Sequence, residues 1–444
     1  MSEVRVGVVG AGPAGFYAAE RLLKAGLRVE LLDRLATPWG LVRAGVAPDH
    51  PNIKAVSRVY EKTAALDGFR FHGHVDVGAD ISHEELLARH HAVIYAYGAS
   101  RDRRLGVPGE DLPGSHAATD FVAWYNGHPD AADLRFDLSG RRAVVVGNGN
   151  VALDVARMLL LPRDELAVTD VADHALEALA ASSIEEVVVL GRRGPAQAAY
   201  TTPELRELGE LTQADVIVDP AEAAIDDEST AWLESDAADG TARRNVEMVG
   251  DYATRPSSDK PRRIVLRYLV SPMRILGTER VEAVELVRNR LVHEDGRART
   301  ESTGETDPLA CDLVLRSIGY AGAPIPGVPF DERKATIANE GGRVAPGVYA
   351  AGWIKRGPSG VIGTNKKCAN ETVAALLADL EAGKLSALSA DDLDALLDER
   401  CRDRIDYAGW ERIDAHERAL GEPQGRPRVK IVHRGDFVTR ASAT

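Results

Sequence analysis

Glycines near the start of the chain could place a phosphate group against a helix. Gly10, Gly12 and Gly15 form the spacing G-x-G-x-x-G within "VVGAGPAGFYAAE" (8–20). This spacing allows a tight turn, close approach of a pyrophosphate and close packing of the following helix, whose N-terminal N–H groups then face the phosphates. Asp33, eighteen residues beyond Gly15, can accept a hydrogen bond from a ribose 2′-hydroxyl. Because an acid would repel a 2′-phosphate, this site suits FAD or NAD.

A second turn of the same kind lies near the middle of the chain. Its residues are Gly147, Asn148, Gly149, Asn150, Val151 and Ala152. Alanine in the third glycine's place is a variation that the fingerprint allows. The strand that should end in an acid ends instead in Arg192 and Arg193, whose guanidinium groups suit the 2′-phosphate of NADPH. About forty residues separate this turn from the arginines, twice the usual distance, and we interpret 163–180 as an inserted helix.

Three titratable residues are candidates for a role beside a bound ring. His50 lies in "APDHP" (47–51), a loop stiffened by two prolines. Glu204 and Glu207 are three apart on a predicted helix and therefore share a face. On residue type and spacing alone, a structural histidine and two solvated acids are the commoner explanation, and a role in catalysis or beside a nicotinamide is the alternative that stays open at this point.

The elements that must position these residues alternate between strand and helix. Segments 4–10, 13–26 and 28–33 form a strand–helix–strand unit, which implies a parallel sheet. After a stretch rich in Gly and Pro at 105–115, the pattern restarts at "RRAVVVGNGNVALDVARMLLL" (141–161). This repetition predicts an α/β protein with two Rossmann-like dinucleotide-binding domains.

Two later stretches are less regular. Residues 219–262 are acidic and polar with few large apolar groups, which predicts an excursion on the surface. Segments 262–277 and 281–292 alternate apolar and polar residues and predict antiparallel strands.

Composition narrows the class of protein. A chain of 444 residues favours two domains, and a formal net charge of −14 disfavours nucleic acid as a partner. The 3 cysteines lie far apart with no CxxC, so no dithiol site, metal site or cluster is predicted. A strand begins almost at the N-terminus and no apolar run reaches membrane-spanning length, so we predict no signal peptide, no transmembrane segment and a cytoplasmic location.

Five long strings, in matching order, resemble the adrenodoxin reductase-like ferredoxin–NADP⁺ reductases, including their bacterial members. They are "GAGPAGFYAA" (10–19), "PWGLVRAGVAPDHP" (38–51), "GNGNVALDVAR" (147–157), "GRRGPAQAAYTTPELRE" (191–207) and "GWIKRGPSGVIGTNKK" (352–367). The likeness runs nearly end to end and departs at Asp33, where the family more often has glutamate. For ribose binding that exchange is conservative.

The resemblance implies a glutathione reductase-like fold with a discontinuous FAD domain, 1–106 plus 330–444, around an inserted NADPH domain, 107–329. It implies FAD contacts at Ala14, Asp33, Leu41, Val77, Trp353, Gly360, Val361 and Ile362. It implies NADPH contacts at Arg103, Asn148, Gly149, Asn150, Val151, Arg192, Arg193 and Glu204. His50 and Glu207 match the family's pair near the flavin and nicotinamide.

The activity implied by this resemblance is hydride transfer between NADPH and FAD, followed by single-electron transfer to a small acidic iron–sulfur protein of the ferredoxin type. As our own hypothesis, Lys355, Arg356, Arg206 and Lys366 form its basic docking patch on a monomeric protein. The alternatives are another NADPH-dependent flavoprotein reductase (a disulfide reductase, a diaphorase or a relative of the glutamate synthase small subunit) and a flavin redox sensor without turnover.

Overall fold

Two six-stranded sheets organise the protein. The computed structural model describes residues 4–256, 258–294, 297–385, 387–389 and 392–443. Buried apolar clusters lie on both faces of each sheet, because the side chains of successive strand residues point to opposite faces and both faces are covered. No helix among these residues is long and apolar enough to cross a membrane.

The first sheet takes strands from both ends of the chain. In spatial order they are Arg343–Ala345, Val348–Ala350, Ala92–Tyr95, Arg5–Val9, Arg28–Asp33 and Phe69–Gly73. All neighbours are parallel except the first pair, which is antiparallel. The predicted discontinuous α/β unit is therefore confirmed, since a strand from 348–350 pairs with one from 92–95.

The second sheet is entirely parallel and is formed by the intervening residues. In spatial order its strands are Ser115–Ala117, Leu313–Arg316, Arg142–Val146, Glu186–Leu190, Arg262–Arg267 and Ala214–Val218. Helices pack on one face. A three-stranded antiparallel sheet, Val270–Leu276, Ala283–Glu294 and Arg297–Ala310, packs on the other. The domain limits at 106/107 and 329/330 stay a prediction.

The prediction of two antiparallel strands over 262–277 and 281–292 was half wrong. Val270–Leu276 does pair antiparallel with Ala283–Glu294. Arg262–Arg267, however, is a parallel strand inside the second sheet, and Leu269 with φ +55° separates the two segments. Alternation of apolar residues shows that a segment is a strand but carries no information on its direction.

The helices surround the sheets. They are Pro13–Lys24, Leu41–Ala44, Pro51–Lys54, Ser57–Ala64, His83–Arg89, Ala118–Tyr125, Asn150–Leu160, Arg163–Leu166, Asp173–Ala180, Thr202–Glu210, Pro220–Ala223, Asp227–Glu234, Gly240–Thr254, Trp353–Arg356, Ile362–Glu381, Leu393–Arg400, Tyr407–Gly421 and Arg434–Ala441. The helix expected over 163–180 is split in two. The expected surface excursion at 219–262 contains three helices, each begun by an aspartate that accepts a backbone N–H: Asp219, Asp226 and Asp239.

Two short strands mark the crossing between the halves of the molecule. Arg101–Asp102, on the way from the first sheet to the second, pairs antiparallel with Tyr320–Ala321 on the way back. The remaining pair of short strands, Phe330–Asp331 and Thr336–Ile337, lies on the returning segment. The two crossing segments are thus hydrogen-bonded to each other, which fixes both at the same point between the sheets.

Buried cations near the C-terminus join the same halves at a second place. Arg426 donates to the carbonyl oxygen of Thr169 (3.0 Å), and the Lys430 ammonium lies 3.3 Å from Asp170. Asp170 also pairs at 2.5 Å with Lys54, the last residue of the short helix Pro51–Lys54. Buried ion pairs of this kind fix the position of one half of the molecule on the other, because separating the partners would leave buried charges uncompensated.

Candidate active site

The first glycine turn has the geometry that a pyrophosphate requires. Gly10 has φ +107°, and a Cβ on Gly15 would overlap the carbonyl oxygen of Gly10. The helix Pro13–Lys24 begins after Gly12 with no side-chain cap, so its first N–H groups are left for a ligand. Ala14, the second residue of that helix, is buried at this end.

Asp33 lies beside this turn at the carboxyl end of its strand. Its Oδ2 accepts the N–H of Ala11 (2.7 Å) and its Oδ1 accepts the N–H of Leu35 (2.9 Å). Burial raises the pKa of Asp33, and the two backbone donors act in the opposite direction. Each carboxylate oxygen keeps a second lone pair, so the group can still accept a ribose hydroxyl.

The other residues expected at this site come from three separate segments of the chain. Leu41 is exposed, whereas Val77 is buried. Trp353 follows Gly352 (φ +73°), and its buried indole N–H has no partner among the described residues. An orphaned donor of this kind fits a bound polar ligand such as FAD.

A second uncapped helix supports the same fit. The helix Ile362–Glu381 begins after Val361, which is 58% exposed, with no side-chain cap. Gly360 just before it has φ +77°, a backbone conformation that favours glycine. The residues expected to hold FAD thus combine two helix N-termini, a half-buried carboxylate and an indole N–H without a partner among the described residues.

The second glycine turn repeats the first. Gly147 has φ +120°, and a Cβ there would overlap the carbonyl oxygen of Ser317. The helix Asn150–Leu160 begins after Gly149 with no side-chain cap, and nothing lies within 4 Å of the position of a Cβ on Gly149. The Asn150 side chain is engaged within the protein, since its Oδ1 accepts the N–H of Thr201 (2.8 Å).

The remaining residues of this second site differ in exposure. Asn148 lies against Gly191, where a Cβ would come 2.5 Å from its amide nitrogen. Val151 is half-buried in the first turn of the helix. Arg103 is exposed, and its Nε donates to the carbonyl oxygen of Tyr320 (3.0 Å).

The two arginines beyond Gly191 are available to an anion. Arg192 is exposed and Arg193 is half-buried. In the part of the chain that the structure describes, neither guanidinium forms an ion pair or a hydrogen bond. Burial, and then the neighbouring charge of Arg192, lower the pKa of Arg193. Two adjacent cations without a counter-ion fit a doubly charged phosphate.

His50, which lies between the two glycine turns in the sequence, contacts two helices of the second half of the molecule, Asn150–Leu160 and Thr202–Glu210. Its Nε2 lies 2.7 Å from Glu207 Oε2 and 2.7 Å from Arg157 Nη2. These contacts exclude each other chemically, because a protonated Nε2 donates to Glu207 whereas an unprotonated Nε2 accepts from Arg157. The site therefore holds a proton position with two defined states.

Arg157 is the centre of this cluster. It is 3% exposed, donates from Nε to Asp49 (2.6 Å) and from Nη2 to Asp154 (2.7 Å). Its Nη1 lies 3.5 Å from Glu204 and 3.3 Å from Glu207. One guanidinium thus faces four carboxylates. His50, Glu204 and Glu207 also have ligand atoms close enough together for a metal ion, but Arg157 already supplies positive charge to both glutamates.

Two buried acids in the cluster hold protons more tightly than usual. Burial, and then the charge of Asp154, raise the pKa of Glu204 to about 7. Burial likewise raises the pKa of Asp154, while Arg157 acts to lower it. For Asp49, burial is outweighed by the hydrogen bond from Arg157, and its pKa is lowered. Near neutral pH the cluster can therefore hold or release a proton at Glu204.

Sequence reasoning missed Arg157 and Asp154. Both lie in "NVALDVAR", three residues apart on a helix whose other inward residues are apolar. Charged residues on the buried face of such a helix were the signal that could have found them. Asp49 precedes His50 directly in the sequence, but its residue type and position alone predict no role for it.

The predicted docking patch needs correction. Lys355 is only 11% exposed and donates to the Thr372 hydroxyl, and Arg356 donates to Asn365 Oδ1 (2.8 Å). Both cationic groups are thus engaged in hydrogen bonds within the protein. Arg206 and Lys366 are exposed. Lys366 lines an open groove with Arg21, Gly363, Lys367, Asn370, Glu371 and Ala374.

Comparison with known proteins places these features in a family context. Residues 4–189 match the family model described as pyridine nucleotide-disulphide oxidoreductase. The NADPH-ferredoxin reductase FprA of Mycobacterium leprae is 52% identical, and the match covers 96% of each chain. The mitochondrial NADPH:adrenodoxin oxidoreductase of Salvelinus fontinalis is 42% identical over 100% of this chain and 92% of the relative. The solved structure of Mycobacterium tuberculosis FprA in complex with NADPH superimposes with a TM-score of 0.95 at 49% identity, covering 99% of this chain and 100% of the other.

Proposed function

This chain belongs to the family of NADPH-ferredoxin reductases, and from that premise we propose that it transfers hydride between NADPH and FAD and passes electrons singly to a ferredoxin-type iron–sulfur protein. The observation that carries the proposal is a pair of glycine turns with opposite charge beside them. Asp33 stands next to the first turn, and the unpaired Arg192 and Arg193 stand next to the second. An acid suits a free ribose, whereas arginines suit a 2′-phosphate.

FAD, when bound, supplies the chemistry that links a two-electron donor to a one-electron acceptor. We assign its pyrophosphate to the helix start after Gly12 and its ribose to Asp33. The helix start after Val361 and the indole N–H of Trp353 supply further donors. These groups bind and orient the cofactor.

We assign NADPH to the second turn, with its pyrophosphate at the helix start after Gly149. Arg192 and Arg193 bind the 2′-phosphate. Hydrogen bonds between charged groups contribute about 1.5–3 kcal/mol each, so two predict a preference over NADH of about a hundredfold or more.

We propose two roles for the cluster around Arg157: it positions the nicotinamide and it holds protons beside it. His50 passes between its contacts with Glu207 and Arg157 according to whether Nε2 carries a proton. Glu204, whose pKa is raised to about 7, is the acid best placed to exchange a proton at neutral pH. We assign these groups to positioning the nicotinamide and managing protons beside it.

Reduction of the flavin is expected to discriminate between NADPH and NADH. In an anaerobic titration of the flavin-loaded protein, NADPH is expected to bleach the absorbance near 450 nm at a concentration about a hundredfold lower than NADH, because only NADPH carries the 2′-phosphate. Stopped-flow absorbance would give both the amplitude and the rate. Equal bleaching by both nucleotides would mean that the arginines do not bind the 2′-phosphate, and a protein without flavin would overturn the assignment of the first turn.

We propose that the iron–sulfur partner is small and acidic and docks at the basic groove formed by Arg21, Lys366 and Lys367. These residues lie at the N-terminal end of the helix Ile362–Glu381 and on the helix packed against it. The net charge of −14 does not oppose this, because charges farther than about 8 Å are largely screened at physiological salt. A monomeric state and a cytoplasmic location stay predictions from the sequence.

The second prediction tests that surface. The double variant Lys366→Glu/Lys367→Glu is expected to raise the KM for an acidic ferredoxin at least tenfold at low salt, since like charges now meet, and to leave ferricyanide reduction unchanged. Lys384→Glu is the control, because Lys384 is exposed and follows the far, C-terminal end of the same helix, which is about 30 Å long. If the double variant reduced ferredoxin normally, with an unaltered dependence on salt, the groove would not be the docking site.

The alternative of a dithiol reductase loses support. Cys311, Cys368 and Cys401 are all free and buried, and none lies in a CxxC pair. Burial raises the pKa of the Cys311 thiol to about 12, which disfavours the reactive thiolate.

A further inference from the structure

The loop that carries Arg192 and Arg193 is held by a part of the chain outside the dinucleotide-binding unit. The carbonyl oxygen of Gly191 accepts the N–H of Val270 (3.1 Å), and that of Arg193 accepts the N–H of Leu269 (3.2 Å). The carbonyl oxygen of Arg192 accepts the amide Nδ2 of Asn289 (3.0 Å). All three carbonyls are therefore bound by the segment leading into the antiparallel sheet or by that sheet itself.

Asn289 is the only side chain among these donors. It is 7% exposed, and its Nδ2 also donates to the hydroxyl of Ser271 (2.8 Å). A buried amide costs free energy unless it is hydrogen-bonded, so its presence in a strand requires a compensating contact.

The strand Ala283–Glu294 buries side chains on both of its faces. Val284 and Leu286 are buried in one phase of the strand, and Val287 and Asn289 are buried in the other. The pairing with the next strand shifts between Val287 and Asn289, where three residues of that neighbouring strand stand opposite Arg288 alone. Asn289 therefore shares a buried face with Val287 and follows directly after this irregularity.

We propose that Asn289 is a specificity-positioning residue for NADPH: by fixing the carbonyl of Arg192, it holds the arginine loop in the conformation that presents both guanidinium groups to the 2′-phosphate. This inference rests on the proposed assignment of NADPH to the second glycine turn. A loop that is already held in its binding conformation loses less conformational entropy when the ligand binds. The affinity therefore increases only for ligands that the arginines contact. NADH, which lacks the 2′-phosphate, does not depend on it.

The test compares binding of 2′,5′-ADP and 5′-AMP to the flavin-loaded protein by calorimetry. Asn289→Ala is expected to weaken 2′,5′-ADP about three- to tenfold and 5′-AMP less than twofold. In turnover it raises the KM for NADPH by the same factor without changing kcat or the KM for NADH. Ser271→Ala is the matched control, because it removes the other acceptor of the same Nδ2 and leaves the bond to Arg192; it is expected to change each affinity less than twofold.

Three results separate the possible failures. If Asn289→Ala weakened both nucleotides equally, or neither, the proposal would be overturned. If the unaltered protein bound 2′,5′-ADP no more tightly than 5′-AMP, the assignment of NADPH itself would fail, and the role of Asn289 with it. Should the alanine variant not fold, Asn289→Thr carries the same test, because threonine suits a strand and its hydroxyl is too short to reach the Arg192 carbonyl.

Discussion

Replacing Arg192 and Arg193 together by alanine is expected to reduce the ratio of kcat/KM for NADPH to that for NADH by about a hundredfold or more. The two guanidinium groups have no counter-ion among the described residues, so their charge is free for the 2′-phosphate. Each hydrogen bond between charged groups contributes about 1.5–3 kcal/mol, and a hundredfold corresponds to about 2.8 kcal/mol. The loss is expected in the KM for NADPH, while the kinetic constants for NADH stay within about twofold.

A second double variant, which removes two positive charges elsewhere, distinguishes this effect from a general change in the electrostatic potential of the protein. Arg290 and Arg299 are exposed on the antiparallel sheet of the same half of the molecule, where they pair with Glu301 and Glu294. Arg290→Ala/Arg299→Ala removes two positive charges as well, and it is expected to leave the NADPH preference unaltered. Equal losses in the two double variants would assign the preference to long-range electrostatics and not to the arginine loop.

The glycine turns could be predicted from the sequence because their causes are local. Gly10 and Gly147 take φ values of +107° and +120°, which only glycine adopts readily, and the helix after each turn follows directly. The same holds for the helix His83–Arg89, where Ser82 and Glu85 form a capping box three residues apart. Such features depend on a few neighbouring residues, so residue type and spacing are sufficient.

The cluster at His50 could not be assembled in that way. His50 and Glu207 are 157 positions apart, and only the docking of one half of the molecule on the other brings them to 2.7 Å. The family resemblance predicted that His50 and Glu207 act together. Neither that resemblance nor the residue pattern predicted Arg157, which contacts both of them. Long-range contacts between charged residues depend on the complete fold, and sequence spacing carries no record of them.

Arg157→Met is expected to destabilise the flavin-loaded protein by about 3–5 kcal/mol, the cost of removing one partner from a buried charge network. Methionine keeps much of the side chain's volume, so the loss comes mainly from charge. Four carboxylates then face one another around His50 without the cation that lies between them. Urea-induced unfolding of the variant and the unaltered protein gives the difference in unfolding free energy.

The dependence of that deficit on pH distinguishes lost charge from lost packing. Arg157 acts to lower the pKa of Glu204 and of Asp154, so its removal raises both pKa values further above those of the unfolded chain. An acid whose pKa is higher in the folded state binds its proton more tightly there, and stability falls as the pH rises through the interval between the two values. The deficit is therefore expected to grow as the pH rises from 5 to 8, whereas the part that comes from Asp49, whose pKa Arg157 lowers, is already present at pH 5.

Two further variants make the result decisive. Arg157→Lys keeps a positive charge and is expected to show a smaller deficit that depends less on pH. Arg141→Met removes an arginine that is 78% exposed and paired with Glu185 at the surface, where such pairs contribute about 0–1 kcal/mol. If the deficit of Arg157→Met were the same at pH 5 and pH 8, the guanidinium would act through packing alone. The central cation would then have no part in setting the protonation of Glu204.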